Sequence, residues 1–471
     1  MEVAAGRPPS PPALQQRRCQ FWMPKKRRLC ANSALHDSLF CGNHSPASDE
    51  QRIPCPIDPS HSVLKRNLDS HIARCPVRKH ALELEAQPFY KKGVNCGGGE
   101  GAKGFVRSEA KRSEIYRLTV PEFLSLVQKI KAVHSSLGKE IYLRESFISS
   151  RACAEWLEGS RGEDGQQLPF QEKHALQQAS ILGNMEAFGV LKAAVPESRS
   201  GDGAEKVGRS AGEEGADRAV VEFGAGRGYL TQMLADCYGI RGVYLVERRS
   251  YKLKADRSLR QKDSMSLERL RIDIEDLNLN GVESLRGRPY LAIGKHLCGP
   301  ATDLTLRCCL GGDDDHHHHQ SRSGGAARLS GLAVATCCHH LCQWDQYINR
   351  PYFSRIGLGE AHFNAVTWFS SWAVDGAHSL GDSHGGDHAP PPVAGELDGS
   401  WGDSRADATA RGVEEVVKRM SAAEKAELGF ICKEIIDMGR LLWLRGRGRK
   451  AELVKYVPVG VSPENHLLLA R

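Results

Sequence analysis

The chain has 471 residues, with 48 Gly, 22 Pro and 40% hydrophobic content, enough at ~150 residues per domain for two or three folded units. No run approaches the ~18 apolar residues of a membrane span, and Met1 to Pro12 lacks the apolar core of a signal peptide, so secreted, integral-membrane, collagen and coiled-coil classes are excluded. Of the formal charge of +7, the first 95 residues hold 15 Lys and Arg against 8 Asp and Glu while the remainder is balanced, a basic module on a neutral body that suits a polyanionic partner.

Fifteen Cys without a signal peptide point to a reducing compartment, nucleus or cytosol, where clustered Cys bind metal or pack rather than form disulfides. Cys19, Cys30, Cys41 and His44 form a C-x10-C-x10-C-x2-H series, a complete tetrahedral set for one zinc ion, within a finger expected over 15–46. Lys25, Lys26, Arg27 and Arg28 fall inside it, placed for phosphate contact or as a nuclear signal. Cys55, His61, His71 and Cys75 form a second set, C-x5-H-x9-H-x3-C, over 53–80. A helix expected over 67–79 sets His71 and Cys75 four apart on one face, while Pro56 and Pro59 shape the turn that delivers Cys55 and His61. Both zinc sites are full, hence structural, with no open position for catalysis. Residues 96–114 read as a linker.

The body, 115–471, shows helical apolar spacing over 121–135 and 171–194. Three segments, 196–218, 311–325 and 374–412, are rich in Gly, Ser, Asp or His and poor in large apolar residues, so they read as disordered inserts, the histidine run at 316–319 included. Strands expected over 219–223, 242–246, 270–274, 290–293 and 332–335, with a helix from about Tyr229, imply an α/β fold on a parallel sheet. Such sheets bind ligands beyond the carboxyl ends of their strands.

Gly224, Gly226 and Gly228 follow the first body strand and open a helix, so the backbone can turn sharply and approach a ligand. The dinucleotide fingerprint needs its third Gly where Tyr229 stands, which disfavours NAD. With Glu222 ending the strand, the loop instead resembles that of Rossmann-like class I S-adenosylmethionine-dependent methyltransferases. Glu247, ending the next strand, is placed for ribose hydroxyls, and Asp273, with Asp276 as its competitor, for the adenine amino group. After the fourth strand, Lys295, His296 and Asp303 sit in a loop shaped by Cys298, Gly299 and Pro300 and are suited to deprotonate or orient a hydroxyl. The run 337–344 reads as a substrate-pocket wall, with a third zinc site as the alternative, since adjacent ligands have poor tetrahedral geometry.

Taken with Gln87 to Tyr90, Lys173-His174, Gln177 to Ser180, Cys337 to His340, Lys433 and Asp437 to Arg440, these motifs in this order resemble the tRNA 2′-O-methyltransferase family, of the Trm-thirteen type, that modifies nucleotide 4 of the acceptor stem. The resemblance spans nearly the whole chain outside the inserts. It implies methyl transfer from S-adenosylmethionine to a ribose 2′-hydroxyl, in tRNAs such as those for His, Pro and Gly. Lys295 or His296 would then act near the hydroxyl and Asp303 or His339 would orient it. An A-form acceptor stem hides its base edges, so the basic zinc module would grip it by shape and phosphates; no protein partner is implied. The competing reading is a non-catalytic zinc-finger RNA-binding protein, since the second finger also resembles one from a minor-spliceosome component.

Overall fold

The computed structural model describes residues 18–23, 28–34, 36, 38–41, 44, 52–59, 61–97, 104–138, 143–159, 172–192, 218–249, 254–262, 265–311, 326–374 and 406–471. Most of each expected insert, the histidine run, and Lys25, Lys26 and Arg27 lie outside these residues. A helix begins at Ala406 and runs to Arg419, so the last insert stops short of the expected boundary at 412. The chain divides into two compact units, Met1–Ala86 and Gln87–Arg471.

The first unit holds two short antiparallel pairs: β1 (Trp22–Met23) with β2 (Arg28–Leu29), and β3 (Arg52–Pro54) with β4 (Ser62–Leu64). Among its described residues the buried hydrophobic side chains are the five cysteines Cys19, Cys30, Cys41, Cys55 and Cys75, together with Val63. So small a core cannot offset the ordering entropy of its chain without a further tie. The single helix expected over 67–79 is two helices, Leu68–Arg74 and Pro76–Glu85, with Cys75 extended between them (φ −58°, ψ 125°). The physical reason is Pro76, whose ring pushes the preceding residue out of the α region and then starts a new helix at its first position.

The second unit is built on eight strands. These are β5 (Arg144–Glu145), β6 (Ala219–Phe223), β7 (Gly242–Val246), β8 (Ser266–Leu270), β9 (Pro289–Cys298), β10 (Arg328–Cys337), β11 (Ala451–Lys455) and β12 (His466–Ala470). Their order across the sheet is β5-β11-β12-β10-β9-β6-β7-β8, with β10-β9-β6-β7-β8 parallel and β12 antiparallel to both of its neighbours. Every residue of β6 and β7 is buried, which is why both read as near-continuous apolar runs, broken only by Glu222, rather than alternating ones. From β6 the chain steps outward to β7 and β8, then returns to lay β9 on the other side of β6. That reversal leaves a crevice at the carboxyl ends of β6 and β9. One face of the sheet, with Val220, Leu245, Ile293 and Ala333, packs on Ala179, Leu182 and Met185 of the helix Glu172–Ala187 and on Met233 and Leu234 of the helix Tyr229–Tyr238.

Three expectations shift. The strand expected over 270–274 lies at 266–270, because the chain turns after Leu270 and Asp273 caps a short 3-10 turn, Ile274–Asp276, by accepting from the Glu275 amide. The fourth strand runs on to Cys298, so Lys295 and His296 belong to β9 rather than to a loop. The described residues of the expected linker are anchored: Cys96 donates to Glu275 (2.5 Å) and the Gly97 carbonyl accepts from Arg350 (3.2 Å), just after Asn95, which donates to the carbonyls of Ile274 and Leu277 (2.6 and 2.8 Å). Further on, Lys111 is buried in the helix Ser108–Tyr116 and donates to the carbonyls of His340 and Cys342 and to the Thr367 hydroxyl.

The long helix Ala422–Gly446, started by a Ser421/Glu424 capping box, is tied to the sheet by buried charge. Arg440, fully buried, donates to both carboxylate oxygens of Asp303 (3.1 and 2.6 Å) and to Asp437 (2.9 Å). The other Asp437 oxygen accepts from Thr336, His339 and His466, each at 2.8 Å. Burial alone would raise the Asp437 carboxyl; His339, His466 and Arg440 outweigh it and hold the group well below the usual carboxylate range. Removing one partner of such a network leaves uncompensated buried charge. Arg440→Ala is therefore expected to lower the unfolding free energy by about 3–5 kcal/mol in urea titration; a loss below about 1 kcal/mol would rank the network with surface ion pairs.

Candidate active site

The loop after β6 takes its shape from three glycines in the left-handed region, Gly224 (φ 60°), Gly226 (φ 51°) and Gly228 (φ 77°), a conformation that side chains disfavour. A Cβ on Gly224 would press on the carbonyl of His296 (3.2 Å), so the loop lies directly against β9. A Cβ on Gly226 would meet nothing closer than 4.0 Å, which leaves open space above the loop. Glu222 is buried beneath it and accepts from the Thr231 amide and hydroxyl (3.2 and 2.5 Å), pinning the first turn of the helix Tyr229–Tyr238. Burial raises its carboxyl to about 7, against the pull of Thr231, Arg269 and Lys295.

Two carboxylates flank the opening. Glu247, just past β7, accepts from the Gly226 amide (3.1 Å) and the Arg249 amide (2.9 Å). Asp273 accepts from the exposed Arg248 (3.1 Å). Asp276, the competitor of Asp273, accepts from the Gly93 amide through one oxygen, and both carboxylates are half-buried.

On β9, Lys295 is 8% exposed and its Nζ lies 3.2 Å from His174 Nδ1. Burial lowers the ammonium to about 8, with Glu222 opposing and Lys173 assisting. The His174 ring is itself lowered by burial and by Lys295, and it stands edge to face with His296 at 6.3 Å. His174 was legible only as part of the Lys173-His174 dipeptide at the start of an apolar helix. Nothing in the local pattern signals that it meets a residue 121 positions away.

Asp303 and His339 do not join Lys295 and His296. Both are 1% exposed, and their partners are Arg440 and the Ile348 amide for the first and Asp437 and Glu464 for the second. Charge pairing with Arg440 and Asp437 is what allows both to be buried. The run expected as a pocket wall separates in the same way: Cys342 is buried with its sulfur 3.2 Å from the Arg440 guanidinium, whereas Cys337 and Cys338 turn toward Cys298. Hydrogen bonds from Cys337 and Cys338 lower the Cys298 thiol.

In the first unit both ligand sets converge. The donor atoms of Cys19, Cys30, Cys41 and His44 lie within 4.8 Å of one another, as do those of Cys55, His61, His71 and Cys75. Ordinary zinc bond lengths give tetrahedral edges of about 3.8 Å between sulfurs, about 3.6 Å from sulfur to nitrogen and about 3.3 Å between nitrogens. The structure has Cys30–Cys41 at 4.0 Å, Cys19–His44 and Cys41–His44 at 3.4 Å, His61–His71 at 3.1 Å and His71–Cys55 at 3.2 Å. These sets fit zinc, and the break at Pro76 does not remove Cys75 from its set.

Fold and site define a protein with two zinc fingers and an α/β body bearing a glycine-loop crevice. Residues 176–471 match the family model "Methyltransferase TRM13", residues 17–45 the "CCCH zinc finger in TRM13 protein", and residues 52–76 the "U11-48K-like CHHC zinc finger". The chain belongs to the TRM13 methyltransferase family. Its curated relatives include the tRNA:m(4)X modification enzyme TRM13 of Oryza sativa subsp. japonica, 53% identical over 246 residues, which are 50% of this chain and 91% of that protein. The TRM13 homologs of Mus musculus and Homo sapiens are each 30% identical over the full length of this chain and 97% and 98% of theirs. No solved structure matches the chain.

With a complete set at each finger, His71→Ala is expected to lower zinc by one equivalent per chain and to weaken RNA binding. Elemental analysis alongside a binding titration checks both; unchanged zinc would overturn the assignment of the second set.

Proposed function

We propose that the chain transfers a methyl group from S-adenosylmethionine to the ribose 2′-hydroxyl of nucleotide 4 in the acceptor stem of tRNAs such as those for Pro, Gly and His. The observation that carries the reading is a buried lysine, lowered to about 8, at the carboxyl end of β9, beside a glycine loop that opens on the sheet's crevice. The relatives' name, tRNA:m(4)X modification enzyme, supplies the substrate class. The sheet order, with its reversal between β8 and β9, supports a Rossmann-like class I body.

S-adenosylmethionine, when bound, supplies a methyl group on an electrophilic sulfonium. Gly224, Gly226 and Gly228 would admit its backbone-hugging end, Glu247 would accept from its ribose hydroxyls, and Asp273 from its adenine amino group. Glu222 acts through the loop by fixing Thr231. What the chain must add is alignment of a hydroxyl and an acceptor for its proton. Neutral Lys295 accepts that proton, and the neighbouring His174 and His296 orient the amine. The fingers would hold the stem through Arg28 and the exposed Trp22, which is 53% accessible, combining a charge for phosphate with a ring for stacking.

The test is mass-spectrometric mapping of unmodified tRNA transcripts after incubation with the protein and the donor. A 2′-O-methyl group on nucleotide 4, absent with Gly226→Arg, whose side chain fills the open space above the loop, is the expected result. Donor binding without any methylated product would remove the reading in favour of RNA binding alone. Because Lys295 is protonated below its pKa and a base above it, the single-turnover rate should climb as pH rises through about 8 and then level. Lys295→Arg should lose that inflection and fall by ~10²–10⁴-fold; an unchanged pH profile would exclude Lys295 as the base.

A further inference from the structure

Outside the fingers, three thiols meet where β9 and β10 end. Cys298 and Cys337 are register partners in the parallel pairing of these strands, and their sulfurs lie 3.5 Å apart. Side chains alternate between the faces of a strand, so continued strand geometry would send Cys338 away from this pair. Instead Cys338 adopts φ 50°, ψ 46°, and among the described residues it is the one non-glycine with positive φ. That turn returns its thiol, and all three sulfurs fall within 4.8 Å of one another.

The backbone around the cluster is held from several sides. The Cys338 amide donates to Glu464 (3.2 Å) and the Gly299 amide to the Cys337 carbonyl (3.3 Å). Gly299 has φ 57°, and a Cβ there would run into Leu341. A strained residue kept in place by this many contacts points to a role for the side chain it aims.

We propose that Cys298, Cys337 and Cys338 form a third metal site, taking zinc or a comparably soft divalent ion, with its fourth coordination position facing solvent. The 3.5 Å sulfur separation is close to the tetrahedral edge of about 3.8 Å expected for zinc thiolates. Cys298 is exposed and Cys337 buried, so an ion can enter from one side and is backed by protein on the other. A cross-strand disulfide between Cys298 and Cys337 would leave the third thiol and its left-handed turn unused, whereas a metal ion uses all three. The ligands are not the local 337–342 run: Cys342 is engaged by Arg440 and His339 by Asp437. An ion here would clamp the ends of β9 and β10 just beyond Lys295 and His296. The inference stands apart from the methyl-transfer reading, since its readout is metal content.

The experiment is elemental analysis of the full chain purified in metal-free buffer, with protein quantified by amino-acid analysis. Three zinc per chain are expected, two in Cys298→Ser, two in Cys55→Ser, and one in the double variant. Two zinc per chain, unchanged in Cys298→Ser, would overturn the site, as would a Cys298–Cys337 disulfide in non-reducing peptide mapping. Should Cys298→Ser fail to fold, cobalt titration of the zinc-free native chain decides: a third equivalent must add thiolate-to-cobalt charge-transfer absorption, and saturation after two equivalents would refute the proposal.

Discussion

The body depends on a buried charge network. Arg440 satisfies Asp303 at the start of the helix Pro300–Leu310 and Asp437 one turn earlier on its own helix, and Asp437 in turn gathers Thr336, His339 and His466. Four elements that share no local sequence thereby acquire one registration: the helix after β9, the end of β10, the start of β12 and the helix Ala422–Gly446. Hydrophobic packing alone is non-directional and tolerates sliding. A buried ion cluster does not, because a shift that breaks one contact leaves a buried charge unpaired. Gly439 belongs to the same device. Without a side chain it lets the Tyr347 ring approach the helix, where the hydroxyl donates to the Ile436 carbonyl (2.8 Å).

This rigid backing gives the crevice its character. The glycine loop rests on the His296 carbonyl, and Lys295 lies between Glu222 below and His174 beside it. The electrostatics are consistent: burial pushes Glu222 up and Lys295 down, toward neutrality for both, and each partly restrains the other. Under the proposed function, such opposed shifts at the carboxyl ends of parallel strands suit Lys295 to accept a proton. Asp303 and His339 lie in the layer behind, paired with Arg440 and with Asp437 and Glu464.

The first unit solves a different problem. It has too little apolar surface to fold on packing, and five of its six buried hydrophobic side chains among the described residues are cysteines. Metal ligation supplies the missing tie, and a ligand set imposes its own spacing on the chain. Sequence spacing is therefore most informative where the core is weakest.

That contrast separates what the sequence alone determined from what tertiary structure decided. The two finger sets, the glycine loop, the buried strands β6 and β7 and the helix Glu172–Ala187 were legible because each is specified within a few tens of residues, by ligand spacing, by conformational need or by apolar periodicity. The strand β8 was misplaced by four residues, since Ser266–Leu270 is a half-exposed edge with weak alternation while Leu270, Ile272 and Ile274 alternate but turn. The break at Cys75 was readable from Pro76 and was overridden by helical spacing. Beyond local reach lay the pairing of Lys295 with His174, of Arg440 with Asp303, of Lys111 with the carbonyls of His340 and Cys342, and of Cys298 with Cys337. These contacts span 39 to 231 positions. A charged residue in a sequence carries no mark of whether it will face water or a distant partner, and only the folded chain, by burying it, determines which.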